Sequence, residues 1–297
     1  MSRGKLGRCQ REIKRATIRV IMTANGPDSP YALGSSDAEH ERLIRQAAHL
    51  APCTERFFRA AGIGSGQHVL DLGSGVGDVA MLVASLVGPS GKVVGVERDP
   101  RTIARARARA EAAGLTTVWF TQSDVSQIPA SHPFDAAVGR FILQFLPDPV
   151  AVLRSLSLLV RPGGVLAFHE PSWAPLLQLS AHLPLLSACA SLTHDSLLRS
   201  GGNTEMGPAL YLIFKEAGLP EPNLQMEVPF AAPPDSAQWL YDLFITLLPE
   251  IRRLNLSLEK LGDLNTLSER LRVEAVASNS PVPMVAMIGA WSRNPAS

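Results

Sequence analysis

The chain of 297 residues has almost no net charge, few cysteines and no long apolar run, and each shortage removes a class of function. Lys and Arg number 28 against 27 Asp and Glu, a formal +1 that conceals an uneven distribution. Residues 1–21 carry seven basic groups (Arg3, Lys5, Arg8, Arg11, Lys14, Arg15, Arg19) against Glu12 alone, so the other 276 residues carry 21 basic and 26 acidic groups. A mildly acidic body has no field for binding phosphates, which argues against a nucleic-acid partner. Cys9, Cys53 and Cys189 lie far apart with no CxxC spacing, so neither a disulfide framework nor a structural metal site is expected, and a reducing cytoplasm is the expected setting. The leucine-rich stretch 176–198 is broken by Gln178, His182, Pro184, His194 and Asp195, so no membrane span is expected. The basic start lacks the apolar centre of a secretory signal; residues 1–30 are read as a disordered tail, with Met22 an alternative first residue.

What the sequence does have is punctuation. The run Val69-Leu70-Asp71-Leu72-Gly73-Ser74-Gly75-Val76-Gly77 puts an apolar strand, an acid and three alternating glycines ahead of an apolar helix over 78–87. Such a turn lets a ligand lie against bare backbone while the free N–H groups of the first helical turn point at it. Around it the pattern alternates. Asp37 reads as the N-cap of a helix to residue 49, and 52–61 as a second helix. Strands are expected over 69–72, 92–97, 117–121, 134–139 and 165–169, with helices at 78–87, 100–113 and 149–159 between them and a turn at 161–164. Arg101, Arg105 and Arg109 read as one solvated stripe of the 100–113 helix. Beyond the fifth strand, 172–200 and 208–217 read as helical, 224–228 as a strand, and Asp235 opens a long helix with Trp239, Leu240, Leu243, Phe244, Leu247, Leu248 and Ile251 on its apolar stripe. A helical piece over 263–277 and a strand over 282–290 close the chain. Strands alternating with short helices mean a parallel sheet with crossovers in one α/β domain.

The acid ahead of the glycines bears on the ligand. A dinucleotide cradle has the spacing Gly-x-Gly-x-x-Gly, whereas here it is Gly-x-Gly-x-Gly. A carboxylate within ~4 Å of a pyrophosphate would cost about 4 kcal/mol per charge at an effective dielectric of ~20. The same carboxylate favours an ammonium or a sulfonium, and S-adenosylmethionine carries both.

With Val93-Val94-Gly95-Val96-Glu97, Gln122-Ser123-Asp124-Val125, Phe134-Asp135-Ala136-Ala137-Val138 and Leu159-Val160-Arg161-Pro162-Gly163-Gly164-Val165-Leu166 following in order, the chain resembles class I S-adenosylmethionine-dependent methyltransferases. It is similar to their small-molecule branch, which includes ubiquinone/menaquinone and natural-product methyltransferases. The resemblance covers about residues 60–170 and implies an α/β, Rossmann-like, doubly wound, seven-stranded, mostly parallel sheet with helical lid insertions. The expected layout within 31–297 is a helical cap at 37–61, a cofactor core at 62–171 and lid helices at 172–205 and 235–280.

The resemblance also implies site residues. Gly73, Ser74 and Gly75 would face the methionyl part, and Asp71 its ammonium, with Gly139 and Arg140 offering backbone groups there. Glu97 would accept from both ribose hydroxyls, Arg98 would cover the adenine, Asp124 and Val125 would bond its edge, and Tyr31 would close over the cofactor. His169 and Glu170, at the end of the fifth strand, are the candidate bases if the acceptor must lose a proton. Gln144, Trp173, Tyr211 and Tyr241 are candidates for the acceptor pocket, while stripe membership assigns Trp239 to the core. His194 and Asp195, as helix neighbours, are not expected to face one another. Gly139-Arg140-Phe141-Ile142 stands where an Asn/Asp-Pro-Pro-Tyr would mark methylation of planar nitrogens. The expected reaction is methyl transfer to a small, fairly apolar molecule; a nicotinamide-dependent oxidoreductase, a silent S-adenosylmethionine-fold binding protein and homodimer formation stay open.

Overall fold

A computed structural model describes residues 36–123, 133–231 and 236–295, so Tyr31, Asp124, Val125 and Asp235, and the expected tail, lie outside the described residues. The strands are β1 (His68–Leu72), β2 (Lys92–Glu97), β3 (Val118–Gln122), β4 (Phe134–Arg140), β5 (Val160–Ser172), β6 (Asn223–Glu227), β7 (Phe230–Ala231), β8 (Val282–Pro283) and β9 (Ala286–Arg293). Their seven-stranded sheet runs β3-β2-β1-β4-β5-β9-β6, and β7 pairs β8 apart from it. Neighbours from β3 to β5 are parallel, while β9 lies antiparallel to both β5 and β6. The order reverses between β1 and β4, the switch point where open sheets of this kind form a crevice beyond the strand ends.

Helices cover both faces because the central strands are apolar on both sides. Among them α1 (Asp37–Ala60), α2 (Asp78–Val87) and α3 (Pro100–Ala112) share a core with Val69, Val93 and Val138. On the other face α4 (Pro149–Ser157) and α7 (Met206–Glu216) pack on Leu70, Leu166 and Phe168. A third apolar core joins α1 to α5 (Ala174–Leu179), α6 (Pro184–Arg199), α8 (Gln238–Arg253) and α9 (Leu267–Ser278), forming a helical cap.

Several expected boundaries shift. The two helices expected before β1 are one, because Pro52 is accommodated inside α1 and the burial of Phe57 and Phe58 holds its second half to the sheet. Its N-cap is Ser36, whose hydroxyl accepts from the Glu39 amide, not Asp37. The Arg161–Gly164 turn is absorbed into β5 as an irregularity, the register passing from Phe134↔Val160 to Ala136↔Val165. The last expected strand splits at Met284 and Val285 into β8 and β9. Arg109 leaves the expected solvated stripe: it donates to the Val76 carbonyl at 2.6 Å and to Asp78 at 2.7 Å, bracing the start of α2.

The docking of α1 depends on Gly289 in β9. Phe57 is 1% exposed, stacks on His169 with ring centroids 4.7 Å apart and sits directly over Gly289, where an added Cβ would fall 2.2 Å from its ring. Gly289→Ala should therefore lower the unfolding free energy by about 1–3 kcal/mol in urea titration, through overpacking. Gly64→Ala, with nothing within 4 Å of the new methyl, should stay within about 0.5 kcal/mol of wild type.

Candidate functional site

The glycine turn connects β1 to α2 with Gly73, Gly75 and Gly77 all at positive φ (64°, 51° and 92°), a path that side-chain-bearing residues rarely follow. It is tied to β2 by the Ser74 amide on the Val96 carbonyl at 3.0 Å and the Gly75 amide on Glu97 Oε2 at 3.1 Å. The other Glu97 oxygen accepts from the Arg98 and Asp99 amides at 2.7 and 3.1 Å. An added Cβ at Gly75 would meet nothing within 4 Å, so open space lies beside that backbone. Gly95 admits the turn: its missing Cβ would fall 2.8 Å from that of Ser74.

Asp71 lies under this turn, 1% exposed, and neither carboxylate oxygen has a hydrogen-bond partner among the described residues; the Ser74 hydroxyl is likewise buried and unpartnered. Burial raises the Asp71 pKa well above the usual carboxylate range, and the Arg140 charge is the largest influence pulling it down. A buried, unpaired acid is costly and calls for a donor or a cation. Arg140, at the end of β4, gives Nη1 to Thr54 Oγ1 at 3.0 Å and makes no ion pair with Asp71. Arg98 has an exposed side chain at the rim.

Residues 141–145 form the next structural unit. Phe141 sits at φ 55°, a left-handed conformation that costs a residue with a side chain about 1–2 kcal/mol. Glu170 holds the turn that follows: its Oε1 accepts from the amides of Ile142 and Leu143, both at 2.9 Å, while Oε2 is buried and has no partner among the described residues. Ile142 packs over the turn glycine, where a Cβ at Gly73 would fall 2.5 Å from its Cδ1, and over Gly139 on the adjoining strand. Phe141, Gln144 and Phe145 line a cleft beyond it.

That cleft, partly open to solvent, is walled by Leu43 and Leu50 of α1, Pro171 near the end of β5, Trp173 just beyond it, and Trp239, Leu243, Met284 and Val285 of the cap. Gln144 and Trp173, the candidates for an acceptor pocket, both line this cleft. Trp239, assigned to the core, is both 7% exposed and part of the wall.

Five other readings meet a different setting. His169 is 2% exposed, turned toward α1 beneath Phe57 and 3.3 Å from Thr54 Oγ1, and is not in the cleft wall; burial and the Arg140 charge push its pKa down to about 3. Glu170 is absent from that wall too, being the cap of the 141–145 turn; burial raises its pKa to about 7, against the lowering effect of the backbone amides. Tyr211 is on the outer side of α7, its hydroxyl donating to Glu221 at 2.6 Å, and Tyr241 packs against the cap core without lining the cleft. His194 and Asp195 do meet, Nδ1 to Oδ1 at 3.2 Å, and the other ring nitrogen is 3.0 Å from Thr204 Oγ1, with Trp173 against the ring. Thr54, Ile142 and the Glu39–Arg42 pair were not anticipated; only the i,i+3 spacing of that pair left a trace in sequence.

Comparison with known proteins bears on this site. A family described as "Methyltransferase domain" matches residues 63–218, more than half of the chain. The 2-phytyl-1,4-naphthoquinone methyltransferase of Synechococcus elongatus is 38% identical over 119 residues, covering 38% of this chain and 50% of that one. The ubiquinone/menaquinone biosynthesis C-methyltransferase of Coxiella burnetii is 33% identical over 117 residues, covering 38% of this chain and 47% of that one. The chain spans about half the length of the curated relatives it matches. Among solved structures, a candidate methyltransferase of Bacillus halodurans shares the fold at a TM-score of 0.51 and 18% identity, over 81% of this chain and 98% of that one. No helix among the described residues is long and apolar enough to cross a membrane.

The adjacent His169 and Glu170 oppose each other in pH dependence. Glu170, raised from 4.5 to about 7, is held protonated by the fold, so its stabilisation is full below pH 4.5 and lost as pH rises to about 7. His169, lowered from 6.5 to about 3, is held neutral, so its stabilisation is full above pH 6.5 and lost as pH falls to about 3. Glu170→Gln should remove the first slope only. In urea titrations the variant should gain on wild type steadily between pH 4.5 and 7, and a constant difference would show Glu170 to be ionised throughout.

Proposed function

Because the chain belongs to the methyltransferase-domain family, we propose that it transfers a methyl group from S-adenosylmethionine to a small, mostly apolar acceptor. The observation that carries the reading is the buried, unpartnered Asp71 carboxylate under an open glycine turn. A cationic ammonium placed there supplies the missing donors and offsets the cost of a sealed charge, whereas a pyrophosphate adds repulsion. Family membership and this acid both count against a nicotinamide cofactor.

In this reading Asp71, Ser74 and the backbone of Gly73, Gly75 and Gly139 hold the methionyl part, with Arg140 nearby. Glu97 keeps lone pairs free for the ribose beyond those its three amide bonds occupy, and Arg98 covers the base. Tyr31, Asp124 and Val125 complete the assignment from sequence alone. When bound, the sulfonium supplies the methyl and leaves as a neutral thioether. The protein's part is alignment and exclusion of water: the 141–145 turn forms the partition through which cofactor and acceptor meet, and the cap closes the cleft above it. Glu170 acts as a structural support of that partition and His169 of the seat of α1, and neither is assigned as a base. The acceptor class draws support from the apolar lining and from the quinone-biosynthesis names of the relatives.

Calorimetry with S-adenosylhomocysteine, set against NAD(H), tests this reading. S-adenosylhomocysteine should bind and NAD(H) should not. Asp71→Asn should weaken that binding about ten- to a hundredfold, as loss of a charged hydrogen bond does, while raising the melting temperature of the free protein by removing a sealed carboxylate. Binding of NAD(H) instead, or equal affinity for S-adenosylhomocysteine in the variant, would refute it.

A further inference from the structure

The cleft is apolar except for Arg42, Gln46 and Gln144. Arg42 is the one charged group among the described residues lining it, and its charge is already met. Its Nε and Nη2 each donate to Glu39 at 2.6 Å, Nη1 is taken by Gln46 Oε1, and the two side chains are 4% and 1% exposed. A buried guanidinium whose charge is met by a bidentate carboxylate has no net charge to offer a second anion, and only one N–H on each of Nη1 and Nη2 remains. A charged acceptor would therefore lose its water in this cleft without gaining a counter-ion.

The opposite wall shows the complementary feature. Trp239 comes from α8, is 7% exposed, and its indole Nε1 is buried with no hydrogen-bond partner among the described residues. Indole N–H groups in protein interiors nearly always have an acceptor. Its neighbours in the cleft wall, Leu243, Met284, Val285 and Trp173, are apolar side chains that supply none. The nitrogen itself is sealed from solvent, so a ligand atom with a lone pair would reach and satisfy it by displacing a neighbouring wall side chain.

We propose that the cleft takes an uncharged, largely apolar acceptor bearing a carbonyl or hydroxyl oxygen, and that Trp239 selects it by donating its indole N–H to that oxygen. The proposal rests on the assignment of this cleft to the acceptor. Trp239 acts here as a specificity-determining contact, separate from the reacting atoms. Glu39 has a matching role at the other wall: it keeps Arg42 from acting as an anion site.

Three naphthalenes of similar size separate the contributions: 1-acetonaphthone (neutral, with a carbonyl), 1-ethylnaphthalene (no oxygen) and 1-naphthoate (an anion). In equilibrium dialysis with S-adenosylhomocysteine present, the ketone should bind about three- to tenfold tighter than the hydrocarbon, the gain typical of one hydrogen bond, and the naphthoate weakest. Trp239→Phe should bring the ketone down to the level of the hydrocarbon while leaving the hydrocarbon unchanged. Glu39→Gln should free Arg42 and raise naphthoate affinity at least tenfold. Naphthoate binding best to wild type, an unchanged ketone-to-hydrocarbon ratio in a folded Trp239→Phe protein, or no naphthoate gain in a folded Glu39→Gln protein would overturn the proposal. Should both variants fail to fold, the ranking of the three probes on wild type decides. The dialysis is repeated without S-adenosylhomocysteine: failure to bind that molecule at all would refute the methyl-transfer reading and leave the probe ranking standing, whereas its normal binding with no ketone preference would remove this inference alone.

Discussion

A carboxylate sealed from water with no partner is the constraint around which the carboxyl ends of the strands are arranged. Asp71 is delivered there by β1, at the point where strand order reverses, and the alternating glycines fold over it without side chains of their own. Nothing in folding favours this residue at this place. An apolar side chain would fill the position at lower cost, so its presence marks a site that gives up stability for recognition. The surrounding contacts preserve the arrangement. Ser74 and Gly75 are bonded to β2, Arg109 braces the start of α2, and Arg140 is diverted to Thr54.

The helical cap gives the sheet a second environment. Two of the three apolar cores are the usual consequence of a strand set buried on both faces. The third belongs to α1, α5, α6, α8 and α9 and has little to do with the sheet. The cleft opens at the seam where this third core meets the 141–145 turn, which accounts for a wall drawn from segments nearly 250 residues apart in sequence.

The sheet was legible because each of its strands carries its own local pattern: apolar runs bounded by glycine, proline or an acid. The cradle was legible for the same reason, its parts lying within a few residues of one another. Side-chain direction was not. His169 and Glu170 are at the expected end of β5, yet adjacent strand residues point to opposite faces; one turns beneath Phe57 and the other beneath the 141–145 turn. Trp239 was read from its stripe as core, and a stripe cannot tell a residue packed on all sides from one whose edge meets a cleft. The join of two helices into α1 depended on tertiary burial overriding Pro52, which no local pattern reports.

The strained backbone at Phe141 has a consequence for how such a protein can diversify. One short segment presents Ile142 to the cradle and Phe141, Gln144 and Phe145 to the cleft, and a single buried acid fixes its path. On the proposed function, altering that segment to suit a new acceptor would disturb the cofactor cradle at the same time. The cap side carries no such double duty. Drift in acceptor choice among descendants of this chain should therefore accumulate on α8 and at Met284–Val285, with the partition itself held nearly constant.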